Sequence, residues 1–142
     1  MTQPVDREVR QDVAELLVRY ATGIDRSDWK LLRSCFTDDC VADYGATGRW
    51  SSGDEITAWM RATHEPLGHT LHRITNPTVA REGAAVTARS YVDALVLGPD
   101  NARGVQVAGF YDDVLVQTDD GWKIARRRYT MVRMQVIEPG SS

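Results

Sequence analysis

The sequence predicts an α+β fold in which three N-terminal helices cover one face of a curved antiparallel sheet. Three observations carry this reading. Apolar residues in the first part of the chain recur at helical spacing, the later part consists of four long β-type segments, and short turn signals separate those segments.

From residue 6 to 25 the side chains Val9, Val13, Leu16, Leu17, Tyr20, Ala21 and Ile24 follow three-and-four spacing, which predicts the first helix. Gly23 is a poor interior helix residue, so this helix is expected to stop near Ile24 with Asp25 at its C-terminal edge. Ser27 or Asp28 can cap a short second helix over residues 29–35. Thr37-Asp38-Asp39 reads as a polar turn, followed by a strand at 41–44 and a hairpin through Gly45 and Gly48. Ser52 with Glu55 three residues later opens a third helix running to His64, with Ile56, Trp59 and Met60 on one face. Beyond Pro66 the chain reads as strands at 69–79, 84–97, 105–118 and 122–136. Glu82-Gly83, Gly98-Pro99-Asp100-Asn101 and Asp119-Asp120-Gly121 separate them, which implies an antiparallel meander. With 142 residues and no composition break, one domain over 1–142 is expected, loose at about 1–5 and 139–142.

Hydrophobic residues at 42% and charged residues at 26% are ordinary for a globular chain. A formal charge of −3 gives no general attraction to nucleic acid or anionic lipid, so neither is an expected partner. The basic run Arg126-Arg127-Arg128 lies in an alternating strand that sends neighbours to opposite faces, leaving one or two arginines for a pocket or interface. No apolar run approaches the ~20 residues of a membrane span, and the start of the chain has no secretory pattern, so a cytoplasmic location is expected. Cys35 and Cys40 lack CxxC spacing and read as buried free thiols. Neither GxGxxG nor a phosphate-binding loop occurs, and His64, His69 and His72 form no clear metal pattern, although His69 and His72 with Asp25 leave a minor chelating option. No cofactor or metal is expected.

Among titratable residues, Asp25 at a helix end and His72 between Leu71 and Ile74 stand out. If the helix lies over the strand, a carboxylate braces an imidazole, and such a pair is a working general base. The plain alternative is that Asp25 caps the next helix and His72 is a satisfied strand residue. Tyr20 and Tyr44 can each supply a phenolic donor to a substrate oxygen, or serve as core with the hydroxyl at its edge.

Residues 17–29 (LVRYATGIDRSDW), 35–44 (CFTDDCVADY), 69–77 (HTLHRITNP) and 120–125 (DGWKIA) together resemble the SnoaL-like branch of the nuclear-transport-factor-2-like superfamily over nearly the whole chain. The resemblance implies a cone-shaped α+β barrel. Within the superfamily the chain is similar to scytalone dehydratase, bile-acid 7α-dehydratase and hexachlorocyclohexane dehydrochlorinase, lyases that use an Asp and His pair. It implies Asp25 and His72 as that pair, Tyr20 and Tyr44 as hydroxyl donors, and Arg127 as a pocket arginine. A second pocket histidine of scytalone dehydratase has no expected counterpart, since His64 ends a helix.

Three functions follow as expectations. The first is a cofactor-independent lyase or dehydratase acting on a mostly apolar small molecule, polycyclic polyketide- or steroid-like ones included, held by Trp29, Trp59, Met60, Tyr111, Arg127 and Tyr129. The second is an isomerase or polyketide cyclase using the same pair. The third is a non-catalytic small-molecule-binding module. Alternating apolar positions in 104–116 and 129–136 suggest a homo-oligomer, trimer or dimer.

Overall fold

The computed structural model describes residues 2–140. Helix α1 spans Arg7–Asp25, and the Asp6 carboxylate caps it by accepting from the Val9 amide at 3.0 Å. Its apolar face, Val13, Leu16, Leu17, Tyr20 and Ile24, is buried. Gly23 does not end the helix. A Cβ there would lie 2.9 Å from the Leu32 backbone nitrogen, so glycine permits α2 (Trp29–Ser34) to pack closely while α1 runs on to Asp25. Asp28, not Ser27, caps α2 through the Leu31 amide.

Strand β1 spans Phe36–Asp43 and includes the segment expected as a polar turn. The reason lies in its ladder to β6 (Gly121–Ile137): Phe36 pairs with Ile124 and Val41 with Arg126, so the four residues 37–40 of β1 stand against residue 125 of β6 alone and the polar stretch bows out. Arg33 holds this bulge through Asp38 at 2.6 Å, Asp54 at 2.7 Å and the Phe36 carbonyl at 2.9 Å. β1 ends one residue before Tyr44, and β2 (Arg49–Trp50) pairs back onto it. Helix α3, Gly53–His64, is capped by Ser52, while Glu55 reaches back to the Ser51 amide at 2.8 Å.

Strands β3 (Thr70–Glu82), β4 (Ala85–Leu97), β5 (Gly104–Thr118) and β6 then run as the expected meander. The six-stranded sheet has the order β2-β1-β6-β5-β4-β3, so it is open, with β2 and β3 at its edges. It is mixed instead of wholly antiparallel, because β1 runs parallel to β6. Register shifts in β3 and between β5 and β6 mark the irregularities that bend such a sheet. On β4, Val86, Ala88, Ser90, Val92 and Ala94 alternate inward against the helices. The start of the chain is not loose throughout: Gln3 exchanges backbone bonds of 2.8 and 2.7 Å with Arg81, and Val5 is buried. Met1 and residues 141–142 of the expected loose ends lie outside the described residues. No helix among the described residues is long and apolar enough to cross a membrane.

Candidate active site

The C-terminal turn of α1 lies over the first residues of β3, and there Asp25 accepts three hydrogen bonds. Its Oδ1 takes the Thr70 hydroxyl at 3.0 Å and the His72 Nδ1–H at 2.7 Å, and its Oδ2 takes the His72 amide at 2.8 Å. A carboxylate oxygen only accepts when ionised, so the contact fixes the imidazole proton on Nδ1 and leaves the Nε2 lone pair free. The two side chains are 10% (His72) and 19% (Asp25) exposed. Burial alone would push the Asp25 carboxyl upward. The His72 ring and amide, with Thr70, overcome that and hold it below its ordinary value.

His72 borders a cavity of about 240 Å³ between the helices and the sheet. Met60, Leu67, Val92, Ala94, Val96 and Val107 make its apolar wall. Three tyrosines, from α1, from the loop after β1 and from β5, meet on it. The Tyr20 hydroxyl lies 3.0 Å from that of Tyr44 and 3.2 Å from that of Tyr111. Burial pushes the acidity constants of all three upward, so they remain protonated in the neutral range. Three hydroxyl protons share two internal bonds, which leaves one O–H able to serve a ligand oxygen.

Behind the tyrosines, the Arg127 guanidinium lies 3.7 Å from the Tyr111 ring centroid and 4.2 Å from that of Tyr20. It forms a forked pair with Asp113 at 2.8 and 2.9 Å, both side chains wholly buried. Arg126 and Arg128 point outward, as alternation requires. Arg127 therefore supports the tyrosine floor and does not line the cavity, unlike the expected pocket arginine.

Tyr20, Tyr44, Trp59, Met60, His72, Tyr111 and Tyr129 all border the cavity. Trp29 does not; its ring meets that of His64 at 6.2 Å from outside the lining. Asp25 touches the cavity through His72 alone and also borders a wider groove of about 610 Å³ between α1 and β3. The chelating alternative has no geometric support, since no group of three or more His, Cys, Asp or Glu side chains among the described residues could hold a metal ion. Both cysteines are free and buried.

The residue that sequence reasoning left aside is His64. It lines the cavity with its ring centroid 6.2 Å from that of His72. The available signal was its place four residues after Met60 and eight after Ile56, on the buried face of α3.

A model of the SnoaL-like domain family matches residues 6–128. Among solved structures, the chain is similar to a Novosphingobium aromaticivorans protein provisionally described as an aromatic ring hydroxylase. That match has a TM-score of 0.86 at 27% identity over 94% of this chain and 96% of that one. A second protein of the same organism, provisionally described as a scytalone dehydratase, matches with a TM-score of 0.81 at 18% identity, covering 94% of each chain. A hexachlorocyclohexane dehydrochlorinase matches with a TM-score of 0.82 at 17% identity over 92% of this chain and 89% of that one. At such identities the last two establish the fold.

Proposed function

The chain belongs to the SnoaL-like domain family, and on that premise we propose that it is a lyase that removes a proton from an apolar carbonyl compound and expels a neighbouring group. One observation carries the proposal: the imidazole braced by Asp25 at 2.7 Å, with its other nitrogen unbonded among the described residues and its ring bordering a largely apolar cavity. In this reading His72 Nε2 takes a proton from the carbon beside a carbonyl. Asp25 stabilises the imidazolium that forms, and as the enolate collapses the imidazolium returns that proton to the departing oxygen, so that water leaves and the neutral base is restored. The unspent hydroxyl proton of the Tyr20–Tyr44–Tyr111 cluster meets the oxygen on which negative charge develops. Each step uses side chains of this chain, and none calls on a cofactor.

The names of two fold neighbours, a dehydratase and a dehydrochlorinase, favour elimination over other uses of the same proton removal. The size of the cavity narrows the ligand. About 240 Å³ falls below the roughly 300–1,000 Å³ of pockets for drug-sized ligands, which suits one or two rings better than a four-ring steroid.

The test is 4-hydroxy-4-phenylbutan-2-one, a one-ring β-hydroxy ketone, whose elimination to the conjugated enone is followed by ultraviolet absorbance. Turnover without added reductant or oxygen, lost in His72→Ala, is the expected result. Wild-type turnover that persists unchanged in folded His72→Ala and Asp25→Asn contradicts the proposal. We further propose that copies associate through apolar surface on β6, where Met131, Val132, Met134 and Val136 are more than half exposed. Sedimentation at low micromolar concentration is expected to give a dimer or trimer, and a monomer would overturn this.

A further inference from the structure

His64 and His72 lie side by side in the cavity wall, yet they are anchored differently. His72 gives its Nδ1 proton to a carboxylate. His64 sits 2.8 Å through Nδ1 from the Met60 carbonyl, an oxygen that can only accept, so His64 also carries its proton on Nδ1 and presents a lone pair on Nε2. That nitrogen has no hydrogen-bond partner among the described residues. Thr63, whose hydroxyl bonds the carbonyls of Trp59 and Met60 and lies 3.1 Å from His64 Nδ1, and Trp29, edge-on to the ring, keep the imidazole in place.

The charge of His64 is fixed by its surroundings. Burial and the neighbouring His72 disfavour the imidazolium, and the Met60 carbonyl and Asp25 compensate only in part, so its acidity constant lies below the ordinary histidine value. A neutral imidazole with its proton spent inward is a pure acceptor. Met60 and Leu67 add apolar lining beside it, and the hydroxyl of Thr63, which also lines the cavity, is turned to backbone carbonyls of α3. A ligand that covers this nitrogen without offering a donor leaves a buried acceptor unpaired, which costs affinity.

We propose that His64 is a specificity-determining residue that accepts a hydrogen bond from a hydroxyl of the ligand, so that the site selects hydroxylated carbonyl compounds over their deoxy counterparts. The proposal deepens the lyase reading, because it assigns the group held near the base, but it concerns binding and stands apart from turnover.

The experiment compares 4-hydroxy-4-phenylbutan-2-one with 4-phenylbutan-2-one, the same skeleton without the hydroxyl, by calorimetric titration of the full chain. To prevent conversion during the titration, His72→Ala serves as the parent protein. The hydroxy ketone is expected to bind about tenfold more tightly, the size of one good neutral hydrogen bond. Adding His64→Phe is expected to abolish that preference and leave the affinity for the parent ketone within about twofold. His64→Gln, which restores an acceptor oxygen, recovers part of the preference and covers the case in which the phenylalanine variant does not fold. Equal affinity for the two ketones in His72→Ala, binding of neither, or a preference that survives His64→Phe overturns the assignment. Loss of turnover has no bearing on this readout, so failure of the lyase reading and failure of the hydroxyl assignment are separately visible.

Discussion

Among the described residues the molecule holds one fully buried acid–base pair and one partly buried pair, and they are built for opposite ends. Asp113 and Arg127 are both fully buried, joined by two bonds of 2.8 and 2.9 Å and covered by the rings of Tyr20 and Tyr111. Arginine does not lose its proton in the neutral range, so this pair is a fixed charge distribution. Asp25 and His72 are joined at 2.7 Å, retain 19% and 10% exposure, and leave one ring nitrogen on a cavity. Histidine exchanges its proton near neutrality. Burial of an acid and a base thus marks no site of chemistry by itself. A partner able to change charge, with an atom open to a ligand, makes the difference.

Breaking each pair in turn sharpens that contrast. The largest effect is expected at the open pair: His72→Ala lowers the initial rate of β-hydroxy ketone elimination by about 10²–10⁴-fold, the range of a lost general base, with the far-ultraviolet circular dichroism unchanged. Next comes Arg127→Met, which strands the buried Asp113 carboxylate and is expected to lower stability by about 3–5 kcal/mol in urea unfolding. The double variant Arg127→Met with Asp113→Leu should recover much of that loss, since no lone charge remains. Tyr44→Phe removes one of the three clustered hydroxyls and is expected to slow turnover about tenfold, because Tyr111 can still complete the donor chain. A fall beyond a hundredfold would place Tyr44 itself against the substrate oxygen.

The smallest effect is the acid dependence of stability. The folded state holds the Asp25 carboxyl below its unfolded value of about 3.9, so this group's stabilising contribution is fully present above that pH and is lost as pH falls through the folded value. The stability difference between wild type and Asp25→Asn should therefore be constant near neutrality and shrink below about pH 4 in urea titrations. His64 acts with the same sign in another window. Its lowered value makes the unfolded chain bind protons first, so stability declines as pH drops below about 6.5, a slope that His64→Gln should flatten.

Much of the fold was readable because its signals are local. The caps at Asp28 and Ser52, the helical spacing from Val9 to Ile24 and the turns at Gly83 and Gly121 depend on neighbours in the chain. The parallel pairing of β1 with β6 does not, since α3 and four strands separate the two in sequence. The polar stretch Thr37–Asp39 misled for the same reason: it belongs to a bulge set by a distant strand and by Arg33. At the site, Asp25 and His72 were legible as a helix-end acid and a histidine amid apolar strand residues. For Arg127 the alternation gave the inward face, but its neutralisation by Asp113 depends on the register of β5 against β6, which shifts between Val114 and Leu115. His64 escaped because a helix terminus reads as solvent-facing, whereas the packing of α3 over the sheet brings it beside His72.

The central claim is that His72, braced by Asp25, removes a proton from carbon. The direct measurement is nuclear magnetic resonance of 4-phenylbutan-2-one in deuterated buffer, which follows exchange of the protons beside the carbonyl and needs no leaving group. The account predicts exchange with wild-type protein well above the buffer rate, falling to near that rate in His72→Ala. Exchange that His72→Ala catalyses as fast as wild type, or no acceleration by wild type while the ketone is bound, would contradict it.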